Sequence, residues 1–341
     1  MQRLPSLTSL RAFAAALVLG YHFHQANTWR PGHLFRDGYA GVTFFFILSG
    51  LVLAWSYPTP VHAREFWRRR FARIYPATFV AIAFAWALAG VGPLIAVNNF
   101  LLLQPWYNTN GVVFAPSGVT WSLGCEAAFY LAFPVALPLL DGMSVTARRL
   151  FVLGWAGVGW AFALVSAWHP TLGWAGFERT TFVNPVLRSG EFFIGVLLAL
   201  ELRDGRRSPM GGSSGLAIAA VGMGCLRFLP VPVHAADPLL AAPFALLLFA
   251  AASDDLRGAS GRLLTHPWLI YAGEVSFCFY LVHQTVIYAA YSKLGVPSGT
   301  IGAVAVIAVA TSVATGLRQF VERPAQRRLA RRWRRASATP A

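Results

Sequence analysis

Apolar runs of about 20 residues, long enough to cross a lipid bilayer, recur along almost the whole chain and constrain its fold more than any other feature. Of the 341 residues, 56% are hydrophobic and only 12% are charged, whereas soluble domains carry about 25% charged residues. We therefore expect an all-α fold, a polytopic membrane helix bundle of about ten transmembrane helices. The candidate spans are 7–26, 38–57, 76–92, 119–140, 150–168, 186–202, 213–229, 237–252, 267–291 and 299–319.

The basic residues predict the orientation of these helices. With the N-terminus inside and ten spans, the arginine-rich connectors within 64–73, 148–149, 203–207 and 257–262 all face the cytoplasm, as the positive-inside rule requires. The segment 94–104 contains Asn98 and Asn99 and is too short to span, so we interpret it as re-entrant or interfacial. The N- and C-termini are therefore both expected in the cytoplasm.

This pattern predicts a multi-pass protein of the inner, cytoplasmic membrane, with a membrane domain over 1–322 and a basic tail over 323–341. The tail is expected to lie on anionic membrane lipids, where each cation contributes on the order of 1 kcal/mol. The net charge of +15 does not indicate nucleic acid, because no soluble surface remains to bind it. The three cysteines lie in apolar segments without C-x-x-C spacing, so we expect no metal site.

Few ionisable residues lie inside the predicted spans, and such residues are costly in lipid and commonly functional. His22, Glu126, Glu191 and His283 all fall in the outer half of the bilayer when depth is counted at about 1.5 Å per residue. They could share one cavity. Each could instead be a satisfied structural group, such as a glutamate paired with Arg188.

A neutral imidazole beside a carboxylate is the arrangement of a general base, because the carboxylate holds the tautomer and stabilises the imidazolium. We therefore expect Glu126 to be the orienting or proton-holding partner of His22. Ser122 and Tyr130 lie on the same helical face as Glu126, at i−4 and i+4, and are candidates for the cavity wall together with Glu191 and His283.

A second cluster indicates phosphate chemistry. Arg70 and Arg73 stand at i and i+3 just before Pro76, and arginine pairs bind phosphate in a bidentate manner. Ordinary positive-inside arginines would give a similar pattern. Arg11 precedes His22 by about three helical turns, or roughly 16 Å, so a phosphate-bearing donor held inside could extend an arm outward to His22.

Seven stretches, in order along residues 4–325, resemble the motifs of acyltransferase family 3: LTSLRAFAAALVLGYHF, GYAGVTFFFILSG, RRRFARIYP, WSLGCEAAFY, EFFIGVLLA, VSFCFYLVH and VERP. These bacterial membrane enzymes modify polysaccharides and other carbohydrate acceptors. The resemblance implies O-acyl transfer, usually of acetyl, from acyl-CoA bound on the cytoplasmic side to a hydroxyl of a carbohydrate acceptor. It implies that His22 is the base and that Arg70 and Arg73 contact the coenzyme, to which the spacing above adds Arg11.

The favoured mechanism is direct attack by the acceptor hydroxyl on the thioester, with an acyl-enzyme on Ser49 or Cys125 as the alternative. A transporter of an acyl group or lipid-linked sugar is a rival interpretation, although paired repeats with broken helices, typical of transporters, are not visible. A catalytically decayed member is a third, because Ser9 and Thr43 stand where many members of the family carry aspartate.

Overall fold

The computed structural model describes residues 2–107, 109–168, 182–226, 228 and 233–329, and within these ranges the regular structure is helical without strands. The predicted all-α fold is therefore confirmed. The greater part of the predicted basic tail, residues 330–341, lies outside the described residues.

The described residues contain a long helix for each of the ten predicted spans, although the bounds differ. These helices are α1 (Pro5–Ala26), α2 (Gly41–Ser56), α3 (Ala63–Ala89), α6 (Trp121–Asp141), α7 (Val145–Trp168), α8 (Pro185–Arg203), α9 (Gly212–Leu226), α10 (Val233–Arg257), α11 (Pro267–Tyr288) and α12 (Thr300–Leu317), with the short α4 (Pro93–Phe100) and α5 (Asn110–Val113) between α3 and α6. Single turns of 3₁₀-helix occupy Gly38–Ala40 and Gln104–Trp106, and π-helical turns follow α11 and α12.

Six helical segments in the described ranges are both long and apolar enough to cross a membrane, which makes this a multi-pass membrane protein: Gly38–Ser56, Ala63–Ala89, Trp121–Asp141, Val145–Val165, Leu239–Arg257 and Thr300–Leu329. The count of ten spans and the orientation of the termini stay predictions. Segment 94–104 forms the eight-residue α4 and a 3₁₀ turn, too short to cross.

The start of the third long helix differs most from the sequence prediction. Helix α3 begins at Ala63, well before residue 76, because Phe66 is buried against the bundle and extends the packed face of the helix. Arg70 and Arg73 therefore lie within α3 and not ahead of it. Beyond α12, the helical chain continues through the π-helical turn Arg318–Glu322 to Leu329. The division into a membrane domain over 1–322 and a basic tail over 323–341 stays a prediction.

Helix α6 shows how these helices divide lipid from core. Leu131, Val135 and Leu139 recur every four residues and expose 65%, 65% and 61% of their surface, whereas Phe129 and Phe133 are buried on another face. An exposed apolar stripe at helical spacing is the surface that lipid covers. The helix therefore directs Trp121, Ser122 and its aromatic residues inward.

Glycines set the closest helix crossings in the bundle. A Cβ at Gly50 would lie 1.9 Å from the Phe192 carbonyl oxygen, and one at Gly195 would lie 1.9 Å from that of Ile47, so α2 and α8 cross backbone against backbone. Gly273 brings α11 equally close to α1, at the carbonyl of Thr8. Small residues at such crossings are typical of helix packing in membranes. The α1–α11 contact positions the histidines described next.

Candidate functional site

The packing of α1 on α11 joins His22 to His283. His283 Nε2 lies 3.0 Å from His22 Nδ1, and His283 Nδ1 lies 3.1 Å from the Phe279 carbonyl oxygen. A carbonyl can only accept, so a neutral His283 carries its proton on Nδ1 and accepts at Nε2. His22 must then donate from Nδ1, which also lies 2.9 Å from the Val18 carbonyl oxygen. This arrangement leaves His22 Nε2 with its lone pair.

His22 lines a cavity of about 300 Å³, here called the histidine cavity. His22 itself is 9% exposed, whereas His283 is fully buried behind it. The other walls of the histidine cavity combine aromatic rings with neutral polar groups, among them Trp121, Tyr280 and Gln284. An imidazole with a free nitrogen at such a wall can remove a proton from a bound hydroxyl.

The three predicted arginines meet in a second cavity, of about 90 Å³, here called the arginine cavity. Arg70 donates from Nη2 to the Tyr57 hydroxyl at 3.3 Å and lies over the rings of Tyr57 and Phe66. The Nε atoms of Arg11 and Arg70 are buried without a hydrogen-bond partner among the described residues. Two buried guanidinium donors without partners in one cavity suit an anionic ligand such as a phosphate.

Arg73 lines the same cavity, but it forms an ion pair with Glu322, which lies in the π-helical turn after α12. Arg73 Nη1 lies 2.6 Å from Glu322 Oε1. The Cys278 thiol donates to Glu322 Oε2 at 3.0 Å, and Gln326 donates to Oε1 at 3.0 Å. A π-helical turn of this kind often marks a functional position. Glu322, within the motif VERP, therefore fixes one wall of the arginine cavity.

Arg73→Ala is expected to lower the free energy of unfolding by about 1–3 kcal/mol, because it leaves Glu322 buried without its cation. Glu322 is only 1% exposed, whereas Arg73 is about a third exposed. The double variant Arg73→Ala, Glu322→Gln should recover most of this loss. Thermal unfolding in nanodiscs measures both, and a double variant no more stable than Arg73→Ala would contradict the role of the pair.

A middle cavity of about 50 Å³ lies between the other two. It shares Arg11 and Glu126 with the arginine cavity, and Val42 and Tyr280 with the histidine cavity. Ser122 lines it and lies 2.8 Å from the Tyr280 hydroxyl. The three cavities therefore lie in series along α1, from Arg11 to His22.

The structure does not make Glu126 the partner of His22. Its carboxylate accepts a hydrogen bond from the Tyr130 hydroxyl at 3.0 Å, and Ser49 Oγ lies 3.3 Å from the same hydroxyl. Glu126 lines the arginine and middle cavities, whereas the partner of His22 is His283. Counting residues gives the depth of a side chain along a helix but not the neighbour that it faces. The expected contact between His22 and Glu126 is therefore not formed in the structure, although both residues line the same series of cavities, and their roles in the reaction stay predictions.

Glu191 is likewise absent from the linings of these three cavities. It forms a buried ion pair with Arg188 at 3.1 Å, and Arg188 also donates to Thr43 Oγ1 at 2.9 Å. This ion pair supports the alternative interpretation of Glu191 as a satisfied structural group. Thr43 and Ser9 both take part in hydrogen bonds away from His22, Ser9 donating to the Leu264 carbonyl at 2.6 Å.

The residues that sequence reasoning missed include Tyr280 and Gln284, which line the histidine cavity, and Glu322, which holds Arg73. Glu322 was visible within a recognised motif, but its partner Arg73 is distant in the chain. Tyr280 and Gln284 lie near the buried His283 on α11, but their side chains are neutral, so no charge inside a span marked them as candidates.

Among the described residues, no group of three or more His, Cys, Asp or Glu side chains could hold a metal ion.

A family model described as an acyltransferase domain, that of acyltransferase family 3, matches residues 4–318. The chain belongs to this family and is an acyltransferase. No solved structure matches the chain significantly.

Curated relatives agree with this assignment. Acyltransferase MdmB of Streptomyces mycarofaciens is 33% identical over 97% of this chain and 93% of its own length. The exopolysaccharide production protein ExoZ of Rhizobium meliloti is 29% identical over 90% of this chain and 94% of its own. The peptidoglycan O-acetyltransferase OatA of Listeria monocytogenes is 30% identical over 39% of this chain and 24% of its own.

Proposed function

We propose that this protein is an O-acyltransferase of the inner membrane that moves an acyl group, usually acetyl, from cytoplasmic acyl-CoA to a hydroxyl of a carbohydrate acceptor. The observation that carries the proposal is the series of three cavities, which leads from unpartnered arginine donors to a histidine with a free nitrogen. The names of ExoZ and OatA, which concern exopolysaccharide and peptidoglycan, support a carbohydrate acceptor.

In this proposal the phosphates of the donor bind Arg11, Arg70 and Arg73, and the thioester arm extends through the middle cavity. His22 Nε2 takes the proton of the acceptor hydroxyl, whose oxygen attacks the thioester carbonyl carbon. The carbon–sulfur bond breaks, and the proton passes to the leaving thiolate. His283 and the Val18 carbonyl hold His22 Nδ1–H and stabilise the imidazolium during the step.

In this proposal, Glu126 and Tyr130 act at the end of the cavity series where the donor binds. Both line the arginine cavity, where their hydrogen bond would shape the path of the thioester arm towards Ser122.

Direct attack by the acceptor hydroxyl is favoured over a mechanism through an acyl-enzyme. The Cys125 thiol donates to the Val183 carbonyl and lines none of the three cavities. Ser49 Oγ lies 3.3 Å from the Tyr130 hydroxyl, which is not a base at neutral pH, so neither nucleophile contacts a general base.

The test is release of free thiol from acetyl-CoA by purified protein in nanodiscs, with and without a crude saccharide extract. We expect release stimulated by the extract, with mass spectrometry showing an acetylated saccharide. Release that the extract does not change would contradict the proposal. So would passage of saccharide across liposomes without coenzyme A, which would identify a transporter, or binding of acetyl-CoA with no turnover, which would identify a decayed member.

A further inference from the structure

The lining of the histidine cavity, as far as the structure describes it, contains no aspartate, glutamate, lysine or arginine. The arginine cavity, by contrast, contains three arginines and Glu126. Arg188 lies over the rings of Trp121 and Phe182, which line this cavity, but it is already paired with Glu191. An anionic group placed in the histidine cavity would therefore lose its water without gaining a cation of its own. Burying an unpaired carboxylate is strongly unfavourable, even after the surrounding protein relaxes.

The polar groups of the histidine cavity suit hydroxyls instead. Gln284 Oε1 is buried and has no hydrogen-bond partner among the described residues. The side-chain amide of Gln284 packs against Gly118, where an added Cβ would lie 2.7 Å from Nε2, so a larger residue at 118 would displace it. A buried amide oxygen without a donor carries a penalty that a ligand hydroxyl would remove.

The size of the histidine cavity limits what it can hold. About 300 Å³ is at the lower end of the range for small-molecule sites, a volume that holds roughly one sugar-sized ring inside the cavity. Trp121, Phe114 and Phe182 supply aromatic walls, against which the C–H faces of a ring can pack.

We propose that the histidine cavity binds a single uncharged, hydroxylated ring of the acceptor, and that Gln284 Oε1 accepts a hydrogen bond from one of its hydroxyls. The inference rests on the proposed function and adds a selection rule to it. Acceptors whose reacting unit carries a carboxylate or phosphate are excluded. Gln284 follows His283 in α11, so the same helix supports the base and selects the ring.

The test uses two acceptor pools prepared from one saccharide extract by anion exchange, one unretained and neutral, the other retained and anionic. Thiol release from acetyl-CoA is measured in nanodiscs with each pool. We expect stimulation by the neutral pool at least tenfold greater than by the anionic pool at equal sugar concentration. Equal or greater stimulation by the anionic pool would overturn this inference and leave the transferase intact; stimulation by neither would overturn both.

Gln284→Met keeps the length of the side chain and removes its hydrogen bond. We expect it to raise the KM for the neutral pool about 3- to 10-fold while leaving the KM for acetyl-CoA unchanged. Thr285→Val, the next residue of α11, is the matched control, because Thr285 is buried outside the cavity lining. An unchanged acceptor KM in folded Gln284→Met would overturn the role of Gln284.

Gln284→Lys supplies a gain of function that a misfolded variant could not give. A cation in the histidine cavity would pair with an acidic ring, so we expect the ratio of anionic to neutral stimulation to rise at least threefold. If the ratio of anionic to neutral stimulation falls or stays constant in folded Gln284→Lys, the lack of charge in the histidine cavity is not what selects neutral acceptors.

Discussion

His22→Ala is expected to lower acceptor-stimulated thiol release by a factor of about 10² to 10⁴, the usual contribution of a positioned general base. The loss should fall on kcat, because the arginine cavity, where the donor is proposed to bind, is at the other end of the series. Steady-state kinetics with acetyl-CoA and the saccharide extract measure this effect, and equilibrium binding of acetyl-CoA shows that the donor site is intact.

The matched control is His24→Ala, on the same helix but outside the lining of the histidine cavity. It should retain activity within a few-fold of the wild type. Full activity in His22→Ala would remove the base from the proposed mechanism, and an equal loss in both variants would show that the effect comes from disruption of α1.

Arg70→Ala is expected to raise the KM for acetyl-CoA about 10- to 100-fold, because hydrogen bonds to charged groups contribute about 1.5–3 kcal/mol. Arg70 is the clearest position for this test. Its guanidinium donates to the neutral Tyr57 hydroxyl and forms no ion pair with a described carboxylate. When Arg70 is truncated, Glu126 still shares the arginine cavity with Arg11 and Arg73, whereas truncation of Arg73 leaves Glu322 without its ion pair.

The preceding residue supplies the control. Arg69 pairs with Glu65 on the exposed side of α3, where both side chains are more than half exposed. Arg69→Ala should therefore change the KM by less than twofold, since exposed pairs contribute little. If Arg69→Ala raised the KM as much as Arg70→Ala, the effect would be one of general positive charge at this end of the bundle and not of a phosphate site.

The positions along each helix were predictable, because hydropathy marks the spans and each residue advances about 1.5 Å. That was sufficient to place Arg11 and His22 at two levels of one helix and to propose a ligand between them. It was also sufficient to read Glu191 as a possible partner of Arg188, because residues three apart on a helix are neighbours.

Contacts between helices were not predictable in the same way. The partner of His22 is His283 and not Glu126, since the choice depends on how α1, α6 and α11 are rotated about their axes. Gly273 decides one of these rotations by bringing α11 against the backbone of α1. Glu322 reaches Arg73 because a π-helical turn follows α12. Neither residue type nor spacing in the sequence predicts such a turn.

The sequence by itself determined the class of protein: apolar runs require a multi-pass helix bundle, and the ordered motifs indicate an acyltransferase. It also determined the chemistry available, with arginines towards one end of α1 and a histidine towards the other. Only the tertiary structure decided which groups contact one another, which nitrogen of His22 is free, and that the described lining of the histidine cavity contains no aspartate, glutamate, lysine or arginine. The physical reason is that burial and ionic complementarity depend on the meeting of side chains from different helices, which a linear pattern does not record.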